Sequence, residues 1–98
     1  MTGTEIIRPG AAILRAAGFV VRVFNANRRT RTRNWIDVWA CKDGVSWLIE
    51  VKGQGDRLAP GQREFYRQLS PHLGDGVRYL LAQSLDDFED IVTASRYP

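Results

Sequence analysis

Ninety-eight residues are enough for one compact domain and leave no room for a second. The apolar and charged fractions are those of an ordinary globular chain, the longest apolar run (19–24) is broken by Arg22, and one cysteine, Cys41, permits neither an internal disulfide nor a thiolate metal site. The formal charge of +3 conceals an asymmetry: residues 1–67 carry twelve Lys and Arg against six Asp and Glu, a net +6, while 68–98 carry two against five, a net −3.

In chain order, the first helical stretch ends at Gly18, a residue suited to the left-handed conformation that closes a helix. Pro9 and Gly10 fall inside that stretch, which covers 4–17, so the helix either starts at Pro9 or is broken there; a short helix over 9–17 is expected, with Glu5 before it or in a preceding turn. Residues 19–24, rich in Val and Phe, read as a strand. A polar, arginine-dense loop follows over 25–34. Two further strands, 35–41 and 45–52, flank Asp43-Gly44, a strong short hairpin signal because both central residues of such a turn take positive φ. After a glycine-containing loop (53–58) come a helix over 60–69 with Pro60 in its first turn, a strand over 77–82, and a helix over 84–94 opened by Ser84 and Asp87 at capping-box spacing. The order helix, three strands, helix, strand, helix describes an α/β layer with a sheet of about four strands.

A two-residue turn at Asp43-Gly44 fixes the hairpin register, placing Lys42 across from Val45, Trp39 across from Leu48, Trp35 across from Lys52, and Asp37 across from Glu50. Alternation then gives one face Ile36, Val38, Ala40, Val45, Trp47, Ile49 and Val51, which must be core. The other face carries Asp37, Glu50 and Lys52 beside Trp35, Trp39 and Leu48. Facing carboxylates repel and destabilise a sheet. A divalent cation removes the conflict, since Mg²⁺ is held by one or two carboxylates, waters and substrate phosphate oxygens. Lys52 can offset part of the charge and reach a water or phosphate beside the metal, a set suited to attack on a phosphodiester. The alternative is an exposed strand ion pair with no chemistry.

Asp37 followed by Glu50-Val51-Lys52 after a hairpin resembles the PD-(D/E)XK nuclease superfamily. The run Ile49-Glu50-Val51-Lys52-Gly53-Gln54-Gly55-Asp56-Arg57-Leu58, with Gln62 on the next helix, is similar to its virus-type replication-repair nuclease branch, VRR-NUC. The likeness spans residues 5–82. It implies a restriction-endonuclease-like αβββαβα core around a central mixed sheet. It also implies Mg²⁺, or Mn²⁺ as substitute, on Asp37, Glu50 and the Val51 backbone carbonyl. Lys52 would orient the attacking water or stabilise developing charge, Gln62 would help position water or phosphate, and Glu5 would be the acidic residue this branch often carries in its first helix. The chain departs from the pattern at Ile36, where Pro is usual, and at Pro9-Gly10, which disturbs the first helix.

Arg28, Arg29, Arg31 and Arg33 precede the strand bearing Asp37 and are candidate phosphate contacts, the alternative being a solvated charged loop. Arg57 and Asp56 contact substrate or pair with each other. Phe65, Tyr66 and Leu69 fall at helical spacing and read as core, and Trp35 and Trp39 either stack on nucleotides or are buried by the following helix or a dimer contact. The lone His72 excludes a multi-histidine metal nuclease, and there is no phosphate-cradling glycine motif for a nucleotide cofactor. The expectation is a metal-dependent endonuclease acting on branched DNA such as Holliday junctions. A homodimer would supply two matched cuts. A cytoplasmic setting, in a bacterial cell or phage-infected host, and no membrane association complete it. Rival readings are a flap or single-strand nuclease of the same fold, a non-catalytic DNA-binding subunit, and a toxin-like nuclease.

Overall fold

The computed structural model describes residues 1–24 and 35–97. Helix α1 (Gly3–Ala16) begins six residues before the expected start at Pro9, so Glu5 lies in its first turn. Thr2 caps it: its hydroxyl oxygen accepts the Glu5 amide at 3.2 Å and its hydroxyl donates to Glu5 Oε1 at 3.1 Å. Pro9 stays inside the helix, where it removes one backbone bond. What offsets that loss is a stripe of Ile6, Ile7, Gly10, Ala11 and Leu14, buried on one helical face. The helix closes as expected through Gly18, at φ 95°.

Four strands form one sheet in the order β1 (Val20–Val23), β2 (Val38–Lys42), β3 (Val45–Val51), β4 (Val77–Ala82). The first three are antiparallel neighbours and β4 runs parallel to β3. That parallel return requires a crossover, supplied by α2 (Pro60–Leu69) and a 3-10 turn (Ser70–His72). The hairpin takes the expected register, with Lys42 paired to Val45 and Trp39 to Leu48, around Asp43 and Gly44 at φ 52° and 81°. Helix α3 (Leu85–Arg96) ends the described chain. Its expected capping box is not built: Ser84 makes no side-chain cap, and Asp87 Oδ2 accepts the amide of Gln83, one residue before the N-cap, at 2.7 Å.

Helices α1 and α3 cover the apolar face of the sheet. Val21, Val38, Ala40, Ile49, Val51 and Ala82 pack there against Ile6, Leu14, Phe88 and Ile91 in one core. Helix α2 touches the opposite face through Gln62 on Glu50, Phe65 on Trp35 and Tyr66 on Tyr79. No α2 residue is fully buried, so Phe65, Tyr66 and Leu69 form a half-open cover, not the core that their spacing suggests. The result is the α/β architecture expected of a restriction-endonuclease-like core, with three helices and a four-stranded mixed sheet. No helix among the described residues is long and apolar enough to cross a membrane.

Candidate active site

The regular β2–β3 ladder ends at Val38 and Ile49, one step short of the two acids. Asp37 leaves the ladder: its amide donates to the Ile49 carbonyl at 3.1 Å and its carbonyl accepts the Phe24 amide at 2.8 Å. Its carboxylate then does what a strand neighbour would do. Oδ2 accepts the Val51 amide at 2.8 Å, fixing the side chain across the end of β3. The ladder pairing of Asp37 with Glu50 that the register predicts is therefore not formed: Asp37 lies just before β2, and its side chain is bonded to the residue after Glu50 on β3.

Both acids are buried, Asp37 at 6% and Glu50 at 1% of full exposure, although carboxylates seldom lose water unless something compensates. Gln62 supplies part of the compensation for Glu50. Its Nε2 donates to Glu50 Oε1 at 2.7 Å, while its Oε1 accepts the Ala59 amide at 2.8 Å at the start of α2. The amide is therefore held at both ends, and helix α2 is tied to the acid through it.

Asp37, Val51, Lys52 and Gln62 line a polar pocket of about 240 Å³ together with Thr2, Gly3, Thr4, Ile7, Gly53 and Asp56. Glu50 is not among the lining residues and is linked to them through its bond with Gln62. The Lys52 amide bonds the Ala82 carbonyl at 2.9 Å, which anchors its backbone to β4 just past the end of β3. Two close approaches shape the wall. A Cβ on Gly3 would lie 3.1 Å from the Val51 carbonyl oxygen, and one on Gly53 would lie 2.9 Å from Asp56 Oδ2. Glycine at both positions lets the first turn of α1 and the 53–56 turn close on the end of β3.

The remaining sequence-predicted residues are placed otherwise. Glu5 is exposed and engaged with Thr2, and it does not line the pocket. Arg57 is exposed in the loop before α2 and does not line it either. Arg28, Arg29, Arg31 and Arg33 lie outside the described residues. Asp56, a candidate substrate contact in the sequence, lines the pocket. The structure adds the first turn of α1 to the pocket wall, and Tyr79 on the face of the sheet that carries Glu50. Nothing local to residues 2–4 signals their placement.

Tyr79 pairs with Leu48 in the β3–β4 ladder and so shares the face of Glu50. Its hydroxyl is buried with no hydrogen-bond partner among the described residues. Burial first, then the charges of Glu50, Tyr66 and Asp37, hold its ionisation well above the ordinary tyrosine range, so the phenol stays protonated.

Among the described residues no three His, Cys, Asp or Glu side chains cluster to cage a metal ion. Two buried carboxylates with the neighbouring Val51 carbonyl are nevertheless an all-oxygen donor set. That chemistry suits a hard cation that keeps several waters, as Mg²⁺ does, better than one needing nitrogen or sulfur ligands. Comparison with protein families matches residues 20–86 to the VRR-NUC domain, a span that takes in β1 through the start of α3 and leaves α1 outside. Comparison with curated proteins and with solved structures gives no match.

Proposed function

The chain belongs to the VRR-NUC family of nucleases, and on that premise we propose that it is a metal-dependent endonuclease that hydrolyses DNA phosphodiester bonds in branched DNA such as Holliday junctions, acting as a homodimer. The observation that carries this reading is the burial of both Asp37, just before β2, and Glu50 on β3, with Asp37 and Lys52 lining one polar pocket and Glu50 tied to it through Gln62.

In this reading Asp37, Glu50 and the Val51 carbonyl hold Mg²⁺, with Mn²⁺ as substitute. When bound, the metal would supply Lewis-acid stabilisation of phosphoryl charge and make the attacking water more acidic. The chain's own residues do the rest. Asp37, locked to the Val51 amide, and Glu50, locked to Gln62, keep their carboxylates fixed before substrate arrives, so little reorganisation accompanies the reaction. Lys52 donates a hydrogen bond to the attacking water or to a non-bridging phosphate oxygen, favouring charge that builds there. Water gives up a proton as its oxygen bonds to phosphorus, the bond to the leaving sugar oxygen breaks, and that oxygen takes up a proton from solvent, so the protons balance.

Support for DNA over a small phosphodiester comes from the basic balance of residues 1–67 and the predominance of arginine among the cations. Support for a dimer comes from size, since a chain of this length buries only about two-thirds of its unfolded surface, and from the two matched cuts a four-way junction requires.

The test is cleavage of labelled four-way junction, flap, duplex and single-stranded DNA with Mg²⁺ or EDTA, using the unaltered protein, Asp37→Asn and Lys52→Ala, with sedimentation to count subunits. Paired symmetric junction cuts, lost in EDTA and in both variants, are expected. Cutting of flaps or single strands instead would keep the chemistry and change the substrate. Folded protein that cuts no nucleic acid with either metal would overturn the reading in favour of a DNA-binding subunit.

A further inference from the structure

Three aromatic side chains meet beside the pocket without entering the core. The Trp35 ring lies 6.0 Å from the Phe24 ring at 79°, and 5.5 Å from the Phe65 ring at 54°. Such edge-on and tilted contacts hold aromatic rings in fixed relative orientation. Trp35 is 37% and Phe24 38% exposed, whereas the other tryptophans, Trp39 and Trp47, are half-buried. Leaving so much indole in water forfeits hydrophobic stabilisation, and a position serving stability alone would gain by covering it.

The cluster is fixed to the pocket from two sides. Trp35 precedes Asp37 by two residues, and Phe65 follows Gln62 by three on α2, one turn further along the same helical face. Phe24 donates its amide to the Asp37 carbonyl. The rings are therefore coupled through backbone and helix to both carboxylates. Phe24 and Trp35 also flank, in sequence, the ten residues 25–34 with their four arginines. On the same face of the sheet, exposed Arg22 pairs with Trp39 across β1 and β2. A polyanion with apolar flat groups matches these surroundings, and a neutral apolar protein surface does not.

We propose that Trp35, supported by Phe24 and Phe65, is a stacking platform for a nucleobase left unpaired at the branch point, next to the cut phosphodiester. The proposal rests on the nuclease reading above. A base within a duplex has both faces covered by its neighbours, whereas an unpaired base offers a free face, and stacking on an aromatic side chain is tolerant of base identity. Selectivity for unpaired DNA then follows from Trp35 without any base-specific hydrogen bond.

Binding in EDTA and low salt separates the platform from catalysis. The probes are a labelled fifteen-nucleotide oligothymidine and a blunt duplex of the same length, titrated with the full chain. Trp35→Ala is expected to weaken oligothymidine binding about tenfold and duplex binding less than twofold, with Trp35→Phe retaining most of the affinity. Tyr97→Ala, which removes an exposed aromatic outside the cluster, is expected to change neither. Oligothymidine is also expected to quench the intrinsic fluorescence of the unaltered protein more than that of Trp35→Phe, which decides the matter even if Trp35→Ala fails to fold. Equal losses on both probes, or quenching unchanged in Trp35→Phe, would overturn the platform. Absence of cleavage with intact Trp35-dependent binding would instead count against the nuclease reading alone.

Discussion

The Asp37 carboxylate accepts the Val51 amide at 2.8 Å, a bond that a strand neighbour supplies elsewhere in the sheet. Asp37→Ala leaves that buried amide without its partner and is expected to cost about 1–3 kcal/mol. Asp37→Asn keeps an acceptor oxygen and is expected to remain closer to the unaltered protein in urea unfolding, while both substitutions abolish cleavage in the proposed mechanism. Equal destabilisation by the two would show that the bond is not what holds the strand end. Tyr79 is the opposite case, a buried hydroxyl that gains nothing from its surroundings. Tyr79→Phe is expected to be neutral or to stabilise by up to about 1 kcal/mol. The fold favours the neutral phenol, so its raised ionisation contributes stability that is complete below the ordinary tyrosine value of about 10. Above that pH the unfolded chain ionises first and stability falls. Unfolding measured from pH 8 to 11 is expected to show a shallower alkaline decline in Tyr79→Phe than in the unaltered protein.

At the scale of elements, α1 is a helix of poor intrinsic design held by what it packs on. Pro9 interrupts its bonding, and Gly10 is among the weakest helix formers. Gly10 is nonetheless required by α3: a Cβ there would lie 2.6 Å from carbons of the fully buried Phe88 ring. Gly10→Ala would raise helix propensity by about 1 kcal/mol in isolation, yet overpacking against a buried ring costs about 1–3 kcal/mol. The net expectation is destabilisation, read as a lower thermal midpoint, with Gly10→Ala recovering in a Phe88→Leu background. A gain in stability from Gly10→Ala alone would mean that α1 and α3 are less closely packed. Lys42 adds a further tie, its Nζ donating to the Ala17 carbonyl at 2.8 Å and so linking the hairpin to the end of α1.

The molecule as a whole separates its charges. The acidic residues of 68–98 gather largely on α3, behind the core face, while the candidate site and the arginine segment belong to the basic part of the chain. DNA association through this part is expected to be strongly salt-dependent, with the logarithm of affinity falling linearly with that of salt concentration. Replacing Arg28, Arg29, Arg31 and Arg33 together by alanine is expected to flatten that slope by up to about four, in titrations at several salt concentrations, with little change in folding stability. An unchanged slope would remove these arginines from the DNA contact. The pocket is likewise a property of the whole, since its wall takes residues from α1, the segment before β2, the end of β3, the 53–56 turn and α2.

The hairpin, its register, the division of its two faces, and the bounds of α2 and β4 were all determined by sequence. Turn chemistry at Asp43-Gly44 and the two-residue period of a strand act over short stretches, and they suffice to bring Asp37, Glu50 and Lys52 to one end of the sheet. Tertiary structure alone decided the rest. Helix α1 runs through Pro9 because burial of Ile6, Ile7 and Leu14 outweighs a lost backbone bond. Asp37 leaves the ladder because its side chain captures the Val51 amide. The first turn of α1 reaches the pocket because Gly3 permits contact with a strand end some fifty residues away. Each of these outcomes depends on residues distant in the chain, whose contacts exist only once the layers have packed, so no local pattern encodes them.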